Sequence, residues 1–184
     1  MIAVTGLRSG TSLMMQTLKI IGVPVEGLLF HDDFPIKELK PKGYYELPYK
    51  MFLTDTDWSK YGGKAVKLAG YTLLNMKPGT IEKVIWCRRN PEEAIESVLK
   101  LISIDSKYSN VNNTIENARF LYNINNDYIY QYISKNDTPM LMIYYEEMLL
   151  CPEETIKKIA DFIDIDSDIL SRALENIEGR VLCQ

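Results

Sequence analysis

With 184 residues, 46% hydrophobic composition and a net charge of −4, the chain has material for one domain with an adequate core, and its acidic balance argues against broad nucleic-acid binding. Its first residues enter an apolar run without a charged leader or a long hydrophobic stretch, so no signal peptide or membrane contact is expected and the chain reads as cytoplasmic. Cys87, Cys151 and Cys183 are scattered without metal-ligand spacing and read as reduced thiols, so no metal site is expected.

Residues 2–5 predict a first strand, and residues 10–21 a helix in which Met14, Leu18 and Ile21 recur at i, i+4 and i+7 until Gly22 ends it. The turn between them is built to hold an anion. Gly6 and Gly10 let the backbone turn sharply and expose N–H groups, Thr11 and Ser12 add hydroxyls, Arg8 is the local cation, and the new helix aims its positive end at the turn. Where the loop of a nucleotide hydrolase carries Lys after its second Gly, this chain has Thr11, which points away from ATP hydrolysis.

A second apolar run, Pro24 to Phe30, leads into a polar stretch from His31 to Glu46 in which Pro35, Pro41 and Gly43 discourage regular structure; it reads as a long functional loop. Pro48 suits the first turn of a helix reaching about Tyr61, stopped by Gly62 and Gly63, and strands follow at Lys64 to Leu68 and Lys83 to Cys87. After the latter, Asn90 suits an N-cap, Pro91 the first helical position, and Glu92 and Glu93 the positive end of a helix running through Ser97 to about Ile102. Ser103 to Asn113 reads as a loop and Thr114 to Ser134 as a helix. Met140 to Tyr144 is nearly all apolar, the pattern of a central parallel strand buried on both faces, and Pro152 opens a last helix with Ile156, Ile159, Ala160 and Ile163 on one side.

Strands alternating with helices predict an α/β fold: a three-layer α/β/α arrangement with a central parallel sheet of four to five strands, in a single domain over residues 1–184. In such folds ligands gather beyond the carboxyl ends of the strands, where both the Gly6 to Ser12 loop and the Arg88 to Asn90 turn fall. The first offers backbone N–H groups, Arg8, Ser9, Thr11 and Ser12 to one phosphate. The second offers Arg89 and, about two helical turns on, Ser97 to another. Two grips imply a ligand phosphorylated at two places. The strands end in Arg88-Arg89, Ala69-Gly70 and Tyr145-Glu146 rather than in the Asp that helps nucleoside triphosphatases hold Mg²⁺, so arginine is the expected neutraliser.

Arg8-Ser9-Gly10-Thr11-Ser12-Leu13 matches the core of a 5′-phosphosulfate loop, Gly-x-Pro-Arg-Ser-Gly-Thr-Thr/Ser-Leu. Arg89-Asn90-Pro91 with Ser97 matches a 3′-phosphate motif in order and spacing. Tyr145-Glu146-Glu147-Met148-Leu149 with Pro152-Glu153-Glu154-Thr155, and Pro41-Lys42-Gly43-Tyr44-Tyr45-Glu46, match two further segments. Through these the chain resembles the sulfotransferase family. It departs in lacking the Pro before Arg8, which leaves a turn one residue shorter, and in keeping only Gly179-Arg180 where many members carry an Arg-Lys-Gly loop.

The resemblance implies a fold like that of the P-loop nucleoside triphosphate hydrolases. It also implies in-line transfer of a sulfuryl group from 3′-phosphoadenosine 5′-phosphosulfate (PAPS) to a hydroxyl or amine of a small-molecule or carbohydrate acceptor. By the same resemblance Arg8, Ser9, Gly10, Thr11, Ser12, Arg89 and Ser97 hold the donor, Arg8 also meets charge on the bridging oxygen, and Arg180 is a further contact. The base for the acceptor proton is expected in the loop after the second strand: Glu46 first, then His31, with Asp32 and Asp33 beside it. Lys67 is a nearby cation whose direction the sequence leaves open. Two other readings stand beside this one: a P-loop small-metabolite kinase, which requires ATP and Mg²⁺, and a nucleotide-binding module without catalysis.

Overall fold

The computed structural model describes residues 1–27, 44–47, 57–104, 110 and 112–165. In chain order these give β1 (Ile2–Thr5), α1 (Thr11–Ile20), β2 (Val25–Glu26), a 3₁₀ turn (Trp58–Tyr61), β3 (Ala65–Leu68), α2 (Gly70–Leu74), β4 (Lys83–Arg88), α3 (Pro91–Ile104), α4 (Ile115–Lys135), β5 (Met140–Tyr144), α5 (Tyr145–Leu150) and α6 (Pro152–Phe162). All five strands are parallel, in the order β2-β3-β1-β4-β5. The fold is the P-loop nucleoside triphosphate hydrolase-like α/β/α arrangement that the sequence predicts.

Strand alternation sorts the core into two layers. Val4, Ala65, Ile85 and Ile143 face one side of the sheet, where Leu13, Met14 and Leu18 of α1, Met148 of α5, and Ile156 and Ile159 of α6 cover them. Ala3, Val66, Leu68, Val84 and Trp86 face the other side, under Leu73 of α2 and Ile129 and Tyr132 of α4. Each Val, Leu, Ile or Met among them, removed from water, contributes about 1.5–3 kcal/mol. A third cluster, Ala94, Ile95 and Val98 of α3 with Ala118 and Tyr122 of α4, receives Leu7 from the loop after β1.

Local signals explain several boundaries. Helix α1 closes in a Schellman motif: Gly22 has φ 91, its N–H donates to Lys19 O at 3.2 Å, and Val23 N–H donates to Leu18 O at 2.9 Å. Thr114 caps α4 by accepting from Asn117 N–H at 3.3 Å.

Three expectations change. The run Met140–Tyr144 is the edge strand β5 rather than a central one, and only Ile143 of its five residues is buried, because half-buried apolar residues suit an edge as well as a centre. Short helices α2 and α5 follow β3 and β5 directly, too brief for periodicity to announce them. Where a helix from Pro48 to about Tyr61 is predicted, the described residues hold a separate 3₁₀ turn, Trp58–Tyr61, capped by Asp57 in extended conformation; residues 48–56 lie outside the described residues. His31, Asp32, Asp33, Arg180 and Cys183 also lie outside them.

Candidate functional site

The loop between β1 and α1 is held in one shape by close approach. A Cβ on Gly6, whose φ is 132, would stand 2.2 Å from the Cys87 carbonyl oxygen, so β1 and β4 meet there only because the residue is glycine. A Cβ on Gly10, at φ 85, would stand 2.6 Å from the ring of Tyr145. Between them Arg8 adopts φ 54, a left-handed conformation that costs a side-chain-bearing residue roughly 1–2 kcal/mol. Strain of this kind persists where the surroundings over-determine it, which fits a functional turn.

No side chain caps the first turn of α1 and no acidic residue lies in it; as at every helix start, its leading N–H groups point along the axis instead of into helical bonds. Positive partial charge collects at this end of the helix. Ser9, Thr11 and Ser12 are all buried. The Ser9 hydroxyl donates to Leu7 O at 3.0 Å and braces the loop instead of facing outward. The Ser12 hydroxyl donates to Tyr44 O at 3.4 Å and accepts from Lys67 Nζ at 3.3 Å.

Lys67, on β3, therefore points toward the first loop. Its ammonium also reaches Tyr44 O at 3.4 Å and forms an ion pair with Glu46 at 2.8 Å, with the lysine side chain only 15% exposed. Glu46 thus stands beside the loop between β1 and α1, tethered by Lys67. Tyr44 completes this group: burial raises its phenol above the ordinary tyrosine range, with the Arg8 charge opposing and the Glu46 charge reinforcing that shift. A charged residue inside the apolar run Ala65–Leu68 is the sequence signal for Lys67.

The second loop carries contacts of its own. Asn90 caps α3 as predicted, accepting from Glu92 N–H at 3.0 Å and Glu93 N–H at 3.4 Å, while its own N–H donates to Glu146 at 2.7 Å. Arg89, however, lies in a two-pronged bond to Glu93 at 2.9 and 2.7 Å, with its guanidinium over the Tyr145 ring, 4.9 Å from the centroid. Ser97 accepts from Arg8 Nε at 2.8 Å, not from Arg89. Arg89 lies just before the Asn90 cap, within reach of Glu93 in the first turn of α3, and the turns of α3 from Pro91 bring Ser97 round toward the first loop. Glu92 is occupied elsewhere, its carboxylate paired with Arg119 and held below the usual range by that hydrogen bond.

Tyr145, absent from the expected donor set, is thus common to both loops: its ring abuts Gly10 and carries Arg89. Cys87, under the first loop, is no nucleophile, since burial pushes its thiol up to about 12 against a smaller opposing effect of Lys67. Among the described residues no group of His, Cys, Asp and Glu side chains is placed to hold a metal, and no helix is long and apolar enough to cross a membrane.

Comparison with known proteins fits this geometry. Residues 81–168, just under half of the chain, match the model of the sulfotransferase family. No curated protein matches the chain. Among solved structures, the chain resembles the sulfotransferase STF9 from Mycobacterium avium, with 14% identity and a TM-score of 0.63 over 100% of this chain and 68% of that one. It resembles the mouse sulfotransferase SULT7A1 complexed with PAP, with 20% identity and a TM-score of 0.60 over 96% and 63%. A third likeness, at 17% identity and a TM-score of 0.56 over 92% and 75%, is to the sulfotransferase domain from the curacin biosynthetic pathway.

Proposed function

We propose, from a family match within residues 81–168 and a fold shared with sulfotransferases, that this chain is an enzyme transferring a sulfuryl group from PAPS to a hydroxyl or amine of a small-molecule or carbohydrate acceptor. The observation that carries the reading is the bond from Arg8 to Ser97, which joins the two anion-binding segments into a single site. All described elements share one sheet and its covering helices, which supports a single domain over residues 1–184.

The donor supplies an activated sulfuryl group linked to a 5′-phosphate and carries a second phosphate at its 3′ position. The bare first turn of α1 suits the 5′ side, through the N–H groups of Gly10, Thr11 and Ser12 and the hydroxyl of Thr11. Ser9 contributes by bracing the turn. Arg8 lies where negative charge collects on the departing phosphate oxygen, and a fixed cationic donor of this kind is worth roughly 10²–10³-fold in turnover. Arg89, once released from Glu93, suits the 3′-phosphate, with Ser97 between it and Arg8. Glu46, oriented by Lys67, is the base that takes the acceptor proton as the acceptor oxygen or nitrogen attacks sulfur. His31 remains the second choice for that role.

Thermal denaturation with adenosine 3′,5′-bisphosphate against ATP plus Mg²⁺ tests the reading, because a ligand bound only by the native state raises the melting temperature. Stabilisation by the bisphosphate is expected. Stabilisation by ATP plus Mg²⁺ alone would establish the kinase instead, and bisphosphate binding without transfer to any acceptor panel would leave a binding module.

A further inference from the structure

Six buried side-chain nitrogen or oxygen atoms lack a hydrogen-bonding partner among the described residues, and five of them lie on one side of the sheet at its carboxyl end: Thr5 Oγ1, Trp86 Nε1, Arg88 Nε, Tyr122 OH and Asn125 Nδ2. Strand alternation directs Thr5, Trp86 and Arg88 to the α2/α4 side, since Ala3 and Val84 face that layer. Thr5 and Trp86 are paired neighbours across β1 and β4, and the Arg88 guanidinium stacks on Trp86 at 4.7 Å. Asn125 is brought to the same end by α2, whose Gly70 N–H donates to its side-chain oxygen at 2.8 Å directly after β3. Tyr122 lies one turn earlier on α4 and is 3% exposed.

Unpartnered buried polar atoms are rare singly, and a cluster of them at a ligand-bearing edge is a binding arrangement that a core does not tolerate. Three of the five atoms are nitrogens that only donate, and the other two are hydroxyls. Arg88 adds a positive charge and meets no carboxylate among the described residues. The complementary group is rich in acceptor oxygens and negatively charged. A carboxylate supplies both properties.

We infer that Arg88, Asn125, Tyr122 and Thr5 form a subsite for a carboxylate on the acceptor, so that the enzyme favours anionic acceptors over neutral ones of equal size. The inference rests on the sulfotransferase reading for the word acceptor, while the subsite itself is tested by binding alone.

Calorimetric titration of the bisphosphate-saturated protein with 4-hydroxybenzoate and with 4-cresol, in which a methyl replaces the carboxylate, measures the preference directly. The carboxylate probe is expected to bind about ten-fold more tightly, as one charge-assisted contact provides. Arg88→Met keeps the apolar stem over Trp86 and abolishes the preference; Tyr122→Phe removes one unpartnered hydroxyl and reduces it about three-fold without lowering the melting temperature. Equal affinity for the two probes, no binding of either, displacement of the bisphosphate by 4-hydroxybenzoate, or a preference that survives Arg88→Met would overturn the subsite. A Tyr122→Phe protein that melts lower with unchanged probe affinity would do the same, by showing a structural role only. Failure of the unmodified protein to bind the bisphosphate refutes the donor reading, and the acceptor role falls with it.

Discussion

Two helices begin at the carboxyl edge of the same sheet, yet their N-termini are opposites. Helix α1 starts after a glycine, with no capping side chain and no acid in its first turn. Helix α3 starts after Asn90, which accepts from two of its N–H groups, and carries Glu92 and Glu93 in that turn. The same backbone dipole is therefore exposed at one end and already neutralised at the other. An anion at α1 is held by the main chain; an anion at α3 must be held by side chains, and Arg89 has first to leave Glu93. Under the proposed function the two loops take unequal tasks: the first sets where the reacting phosphate sits, and the second selects the nucleotide.

The largest disturbance of that asymmetry is expected from Gly10→Ala. A Cβ there meets the Tyr145 ring at 2.6 Å and demands φ 85 of a residue that resists it. Backbone strain and ring displacement together amount to about 2–4 kcal/mol, read as a fall in denaturation midpoint and loss of bisphosphate binding. Retained binding and stability would show that the turn admits a side chain at position 10. A smaller effect is expected from Arg89→Ala: roughly ten-fold weaker binding of adenosine 3′,5′-bisphosphate, with adenosine 5′-monophosphate almost unchanged, as one charge-assisted contact to the 3′ group requires. Equal losses for both nucleotides would remove Arg89 from that phosphate. The smallest effect tests the restraint itself. Glu93→Gln frees Arg89 from an exposed pair and is expected to tighten bisphosphate binding by about two-fold, while weaker binding would mean that Glu93 positions the arginine rather than withholding it.

What the sequence made legible follows the range of the interactions. The turn at Gly6 to Ser12 and the cap at Asn90 are local, and both stand where the residue types place them. Alternation of strands and helices was enough for the parallel sheet but not for strand order, because the apolar content of Met140–Tyr144 is compatible with the edge position it occupies. Contacts between distant residues stayed hidden. Spacing places Ser97 on the side of the strand exit with Arg89, but gives no sign of its bond from Arg8, 89 positions away. Lys67 carried no direction until β3 was set beside β1, where alternation points it at Ser12 and Glu46. The pairing of Arg89 with Glu93 spans the Asn90 cap, joining the residue before the helix to its first turn, a geometry that helical periodicity does not announce.

The ring of Tyr145 has one face crowded by Gly10 and a guanidinium lying over it, so it works as a gauge between the loops. A flat, rigid spacer fixes how far the backbone cradle stands from the arginine. Under the proposed function, neither loop can be retuned alone for a nucleotide with a different separation of phosphates, and a residue larger than glycine at position 10 meets both the ring and a left-handed backbone.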